Sequence, residues 1–328
     1  MDSRAAVRAA VRVAVLDDYQ QVALASADWA PLEGRATIDV YTDHLDDEDA
    51  VAQRLEPYDV VVAMRERTPF PGSLIERLPR LRLLVTTARR NDSIDLATAA
   101  DKGLVVSGTD MAPAGTPELT WALILAAHRH LETELAAMRS GGWQSTVGTE
   151  LAGRTLGVLG LGRLGTVVAR YARAFEMDLV AWSPHLSSER AVEHGAQCAA
   201  GLDDLFGRSD VVSIHMPLSE RSRGLVAAPQ LERLGPDGWL INTSRGPIVD
   251  QQALLDALRS RTIAGAAMDV YDDEPLPPEH PLRSLPNVVL TPHVGYVTRQ
   301  NYQVYFTGVV EDIVAWLDDQ PLRVLRPG

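Results

Sequence analysis

Leu156-Gly157-Val158-Leu159-Gly160-Leu161-Gly162-Arg163-Leu164-Gly165 is the stretch that decides how the rest of the chain is read. An apolar run feeds directly into Gly160-x-Gly162-x-x-Gly165, and helix-forming residues follow. This strand, tight turn and helix order is what a dinucleotide pyrophosphate requires. The first glycine permits the turn, the second lets backbone approach phosphate, and the third lets the helix pack on the strand. The helix start adds N–H groups without intrahelical partners and a positive dipole end. Gly160, Gly162, Arg163, Leu164 and Gly165 are therefore candidate cofactor-binding residues. A glycine-rich turn without a ligand is the competing reading, and the strand and helix context weighs against it. The motif lies mid-chain, and the strand that follows it ends in Ser183 rather than in an acid.

Outward from this turn, short apolar β-branched runs alternate with helix-like segments. Before it the runs are 12–16, 37–41, 60–64, 81–86 and 104–106, with 46–55 and 72–78 as intervening helices. After and including it they are 155–159, 179–182, 211–215, 239–242, 264–269 and 288–290. Alternation of this kind predicts parallel sheets with crossover helices, and two such series predict two doubly wound α/β units. The segment 116–139 reads as one long helix with Thr116 as N-cap, and 297–317 as another. The acidic run from Asp43 to Asp49 reads as a solvated helix start. The last helix has no strand to follow inside the nucleotide unit. The simplest topology is a chain that crosses into the nucleotide domain and returns at its end: residues 1–111 plus 295–328 form one domain and 112–294 the other, with the chemistry in the cleft between them.

Composition narrows the function classes. In 328 residues, 46% apolar and 23% charged side chains are ordinary for a globular protein. A formal net charge of −13 argues against nucleic acid or an anionic membrane as the main partner. It leaves room for an anionic substrate, since a local arginine cluster outweighs a distant net charge. The one cysteine, Cys198, permits no intrachain disulfide and no cysteine-based zinc site, and a reducing, cytoplasmic setting fits. The first dozen residues lack an apolar core and read as a frayed tail rather than a signal peptide. No apolar stretch is long enough to span a membrane. His128 and His130, on the predicted long helix, read as structural or solvent-facing, and no metal site is expected.

Three segments downstream of the glycine turn each follow an apolar strand, at the sheet edge where open α/β proteins place ligands. They are Ile241-Asn242-Thr243-Ser244-Arg245-Gly246, Ala267-Met268-Asp269-Val270-Tyr271-Asp272-Asp273-Glu274-Pro275, and Leu290-Thr291-Pro292-His293-Val294-Gly295. An arginine, a carboxylate and a histidine can thus converge. Taken singly, Arg245 could be a surface ion-pair member, Glu274 part of a solvated acidic loop, and His293 a satisfied turn histidine. Their order gives them weight.

With these segments, Asp210-Val211-Val212-Ser213-Ile214-His215-x-Pro217-Leu218 and the glycine turn, the chain resembles the D-isomer-specific 2-hydroxyacid dehydrogenases from about Arg12 to the last helix. The resemblance implies a Rossmann nucleotide domain inserted into a flavodoxin-like, split substrate domain, and a homodimer joined through the nucleotide domains. It implies that Arg245 binds the substrate carboxylate and polarises the carbonyl. His293 would be the acid/base, Glu274 the group that orients it, and Asp269 the acceptor for the nicotinamide carboxamide. His215, Pro217 and Thr243 would line the cofactor groove. The chemistry is consistent with those roles. Reducing a 2-keto acid takes a hydride at C2 and a proton at the carbonyl oxygen. Histidine titrates near neutrality, a carboxylate partner favours its protonated form, and arginine grips a carboxylate through two parallel bonds.

Two departures qualify the resemblance. An acid usually holds the ribose at the strand end about 20 residues past the turn, and here Ser183 stands there. That leaves NAD and NADP both open. His185, Ser187, Ser188 and Arg190 could donate to a 2′-phosphate, or Ser183 could bond a ribose hydroxyl. The second departure is the substrate loop, Thr86-Thr87-Ala88-Arg89-Arg90-Asn91-Asp92, where the family generally has a glycine-rich turn. Arg65, Thr87, Ala88 and Arg89 are candidate substrate contacts. Together with Arg67 and Arg90, the arginines either favour a second anionic group on the substrate or pair with Glu66 and Asp92. Outside the enzyme reading, an NAD(H)-sensing, co-repressor-like protein on the same scaffold is the main alternative. The set Arg245, Glu274 and His293 argues against it, because sensing needs no acid/base.

Overall fold

The computed structural model describes residues 10–327, so the reading of the N-terminal tail lies, through residue 9, outside the described residues. The first strands are β1 (Val11–Val15), β2 (Ala36–Val40), β3 (Val60–Ala63), β4 (Leu83–Thr86) and β5 (Val105–Gly108), with α1 (Glu48–Leu55), α2 (Gly72–Glu76) and α3 (Leu96–Asp101) between them. Next come α4 (Gly115–His128) and α5 (Leu131–Arg139). The second series is β6 (Thr155–Leu159), α6 (Arg163–Ala174), β7 (Asp178–Trp182), α7 (Ser188–Glu193), β8 (Gln197–Cys198), α8 (Leu202–Gly207), β9 (Val211–Ile214), α9 (Ala228–Leu234), β10 (Trp239–Asn242), α10 (Gln251–Arg259), β11 (Gly265–Met268) and β12 (Val288–Leu290). The last helix is α11 (Arg299–Leu317).

The strands form two all-parallel sheets, ordered β2-β1-β3-β4-β5 and β12-β11-β10-β9-β6-β7-β8. These are the doubly wound orders of a flavodoxin-like sheet and a Rossmann sheet. Sequence explains the strands simply. Strands covered on both faces need unbroken apolar runs, and β3, β4, β9, β10 and β11 are buried throughout. In the seven-stranded sheet the period of two sends alternate residues into different layers. Val212, Leu240 and Ala266 pack in one apolar layer with Leu159, and Val211, Ile241 and Ala267 pack in the other with Leu156 and Val158. Helix α6 buries Gly165, Val168, Ala169 and Ala172, the i, i+3, i+4, i+7 stripe of a helix lying on a sheet.

The described residues divide into two compact units. One holds the chain up to Ala112 and from Val297; the other is Pro113–Tyr296. The chain thus leaves the first unit once and re-enters it once.

Three local expectations are corrected, and one strand was not expected. The helix expected over 116–139 is two helices. His130 takes a left-handed backbone (φ 49°) and separates buried α4 from α5, none of whose residues is buried. Thr116 is not the cap: α4 starts at Gly115 after Ala114, with no side-chain cap, and Thr116 already lies inside the helix. Helix α11 starts at Arg299, because Thr298 caps it by accepting from the N–H of Asn301. Strand β8, two residues at a sheet edge, was too short to leave a periodic signal.

Candidate active site

Strand register positions the site. Along the seven-stranded sheet, Leu159 pairs with Ile214, Ile214 with Asn242, Asn242 with Met268, and Met268 with Leu290. The residues that follow these strand ends, Gly160, His215, Thr243, Asp269 and Thr291, therefore fall along one carboxyl edge. The sheet changes direction between β6 and β9, the switch point at which such sheets bind ligands.

The glycine turn sits at that switch point. Gly160 has φ 102°, and a Cβ there would meet the carbonyl oxygen of His215 at 2.7 Å. A Cβ on Gly165 would collide with the carbonyl oxygen of Gly160, so this glycine is set by helix-to-strand packing. Gly162 is different. No protein atom lies within 4 Å of where its Cβ would be, and it starts α6 with no side-chain cap. An uncapped helix N-terminus facing open space is a cradle for an anion, so the residues present fit a dinucleotide pyrophosphate. Arg163 is exposed and Leu164 half-buried on the first turn of α6.

Ser183 is tied to this turn: its Oγ accepts from the N–H of Leu161 at 3.0 Å. A hydroxyl that accepts still has its own proton to donate, so Ser183 can serve a ribose hydroxyl or a phosphate oxygen. His185, Ser187, Ser188 and Arg190 are exposed beyond it, and Ser187 caps α7. His215 hydrogen-bonds through Nε2 with the buried Ser213 Oγ at 2.8 Å. Although part of the residue is accessible, burial of its ring pushes the imidazole down to about 4. Pro217 is exposed, its carbonyl accepting from Ser222 Oγ at 2.8 Å. The Thr243 hydroxyl is engaged with Thr120 Oγ1 of α4 at 2.8 Å.

The prospective acid/base lies on the same edge. His293 Nδ1 is 2.5 Å from Glu274 Oε2, and the other carboxylate oxygen of Glu274 accepts from the Tyr271 N–H at 2.9 Å. The His293 ring packs edge-on against Tyr296. Asp269 is buried, and its carboxylate holds the loop that carries His293. Oδ1 accepts from Thr291 Oγ1 at 2.6 Å and from Val294 N at 2.8 Å, and Oδ2 accepts from Gly295 N at 2.9 Å. Burial raises the Asp269 carboxyl above the usual range, while these three donors and the nearby imidazole draw it back down. Arg245 lies half-buried on a loop braced by Asn242, whose amide donates to the Arg245 carbonyl at 2.9 Å. Its guanidinium donates to Ser244 O at 2.7 Å.

In the other unit, Arg65, Thr87, Ala88 and Arg89 follow the ends of β3 and β4. Arg65 (φ 54°) and Ala88 (φ 74°) both have left-handed backbones, held by bonds from Arg65 N to Thr87 Oγ1 and from Ala88 N to Thr109 Oγ1, each 2.9 Å. Thr87 is fully buried. The arginine side chains have acidic neighbours: Arg65 with Glu66 at 3.4 Å, Arg89 with Asp110 at 2.7 Å, and Arg90 with Asp92 at 2.8 Å. Arg67 donates to the Asp17 carbonyl at 2.6 Å and lies over the Tyr19 ring. Sequence reasoning assigned no role to Asn242, Tyr271 or Thr291, although each stood inside a quoted segment. Among the described residues no cluster of three or more His, Cys, Asp or Glu is placed to hold a metal ion, and no helix is long and apolar enough to cross a membrane.

A glycine turn at a sheet switch point, with an imidazole–carboxylate pair on the same edge, defines a nicotinamide-dependent α/β oxidoreductase. Comparison with known proteins narrows this. Residues 121–295 match the family model described as "D-isomer specific 2-hydroxyacid dehydrogenase, NAD binding domain", and the chain belongs to that family. It is 39% identical over 274 residues to a glyoxylate reductase of Aeropyrum pernix, covering 78% of this chain and 82% of that one. It is 33% identical over 264 residues to a D-3-phosphoglycerate dehydrogenase of Methanocaldococcus jannaschii, covering 80% of this chain but only 50% of the relative. Among solved structures, a phosphoglycerate oxidoreductase from Vibrio cholerae superposes with a TM-score of 0.90 at 36% identity, covering 94% of this chain and 99% of that one. The family reaction interconverts 2-hydroxy and 2-keto acids with a nicotinamide cofactor.

Proposed function

We propose that the protein reduces a small 2-keto acid to the D-2-hydroxy acid, with His293 as the proton donor. The observation that carries this reading is the 2.5 Å bond from His293 Nδ1 to Glu274 Oε2. It occupies one ring nitrogen, fixes the orientation of the ring, and leaves Nε2 to deliver a proton to the carbonyl oxygen. Arg245 binds the carboxylate and polarises the carbonyl. Arg65, Thr87, Ala88 and Arg89 belong to the unit formed by residues up to Ala112 and from Val297, which serves as the substrate domain, and they are further contacts for the substrate. Nicotinamide, when bound, supplies the hydride. Asp269 accepts from its carboxamide, and Gly162 with the start of α6 holds the pyrophosphate.

The acidic neighbours of Arg65, Arg89 and Arg90 favour a substrate without a second anionic group, which agrees with the similarity to a glyoxylate reductase. Ser183 in place of an acid removes repulsion against a 2′-phosphate, so NADPH is accepted at least as well as NADH. We also read the protein as a homodimer joined through the unit Pro113–Tyr296. The deciding experiment is a panel of glyoxylate, hydroxypyruvate, pyruvate, longer and dicarboxylic keto acids, each with NADH and with NADPH. Glyoxylate is expected among the good substrates, and His293→Ala is expected to lower kcat by about two to four orders of magnitude. Binding of NADH without turnover of any keto acid would favour the sensing reading instead. Negligible turnover with NADPH would sink the cofactor assignment alone.

A further inference from the structure

Arg245, Glu274 and His293 arrive on three separate loops, and one residue joins all three. The Tyr271 N–H donates to Glu274 Oε1 at 2.9 Å, which leaves Oε2 for His293. The Tyr271 hydroxyl donates to Thr291 O at 2.9 Å, with Met268 O at 3.1 Å sharing the proton. Thr291 stands two residues before His293, and its own N–H donates to the same Met268 carbonyl at 3.0 Å. On the third side, Gly246, directly after Arg245, lies so close to the Tyr271–Asp272 peptide that a Cβ there would collide with it.

These ties matter because His293 has a left-handed backbone (φ 52°), a conformation that a non-glycine residue keeps only where its surroundings impose it. Asp269 fixes the two peptides after His293, through Val294 N and Gly295 N, and Tyr271 fixes the Thr291–Pro292 peptide ahead of it. Burial drives the Tyr271 phenol well above its ordinary range, and the neighbouring carboxylates push the same way, so it remains a protonated donor at working pH. A phenylalanine would fill the same space, yet could not hold the Thr291 carbonyl.

We propose that Tyr271 is a positioning residue for the acid/base: its hydroxyl and its backbone N–H together hold the loops after β11 and β12 at the separation at which Glu274 meets His293. For turnover this rests on the role proposed above for His293; for geometry it does not. The test is Tyr271→Phe, alone and combined with Glu274→Gln, with two readouts. One is steady-state glyoxylate reduction with NADPH. The other is the low-field proton NMR signal of the His293 Nδ1–H at fixed pH in the protein without substrate, a signature of its bond to Glu274. In Tyr271→Phe, kcat should fall about three- to tenfold, the range one net hydrogen bond covers. KM for NADPH should stay within about twofold, because cofactor contacts are untouched. The His293 Nδ1–H signal should move upfield, as a looser bond to the carboxylate requires. In the Glu274→Gln background Tyr271→Phe should add no further movement. An unchanged His293 Nδ1–H signal in Tyr271→Phe overturns the proposal, as does an equal movement with and without Glu274. Absence of any keto-acid reduction by the unmodified protein would fail the proposed function, while the NMR signal would still decide the positioning role.

Discussion

His215 shows how much one side chain's surroundings decide. Its place at the end of β9, beside the glycine turn, invites the thought of a cation facing a phosphate. Burial against Ser213 instead pushes its imidazole down to about 4. An unfolded histidine titrates near about 6.5, so between those values the unfolded chain binds a proton that the folded chain refuses. The stability His215 contributes is therefore complete above about pH 6.5 and is lost as pH falls toward 4. The expected NMR signature is a His215 ring that does not titrate between pH 8 and 5. A midpoint near that of a free imidazole would show that it faces the groove as a charge. Residues of this kind mark the limit of sequence reading. The meeting of Glu274 with His293 was legible because each follows an apolar strand of one parallel sheet. Tyr271 carried no assigned role, and Ser183 gave no hint that it would accept from Leu161, because hydrogen-bond partners depend on a turn that only the folded backbone defines.

At the scale of elements, the strand–turn–helix unit from β6 to α6 was readable down to the turn at Gly160 and the helix packing at Gly165, and Gly165 and Gly162 make opposite predictions. Gly165→Ala places a methyl against the Gly160 carbonyl. It should destabilise the protein by about 1–3 kcal/mol, as overpacking does, visible as a lower Tm without ligand. Gly162→Ala meets no protein atom and has an ordinary backbone (φ −91°). Its Tm without cofactor should hold, while NADPH binding by calorimetry weakens by on the order of tenfold, the worth of one or two backbone bonds to phosphate. If Gly162→Ala bound cofactor normally, the pyrophosphate would not lie at this helix start. The same scale holds the clearest misreading. Residues 116–139 keep helix-forming composition across a real break, because Leu131 to Arg139 continue the pattern while burying nothing. Periodicity reports which face is apolar; it does not report whether anything covers that face.

That uncovered face carries the argument at the scale of the whole molecule. Leu131, Leu135 and Met138 of α5 are exposed, and just beyond it Trp143 and Val147 are 75% and 90% exposed. The segment is nonetheless ordered by Glu134, whose carboxylate accepts from the backbone N–H and hydroxyl groups of Ser145 and Thr146. A fixed arm presenting a tryptophan and four aliphatic or thioether side chains to water costs solvation free energy that burial against another surface would recover. A second copy of this chain is the occupant that needs no further component, and a two-fold pairing would place each arm on its partner. Light scattering after size exclusion should therefore give about twice the chain mass of 35.7 kDa at micromolar concentration. Leu135→Glu with Met138→Glu should return single chains, since burying two carboxylates in an apolar contact disrupts it. Because these side chains are exposed within the single chain, the variant's Tm should fall mainly by the loss of association. A monomeric mass for the unmodified protein, or a dimer that survives both charges, would assign this arm some other role.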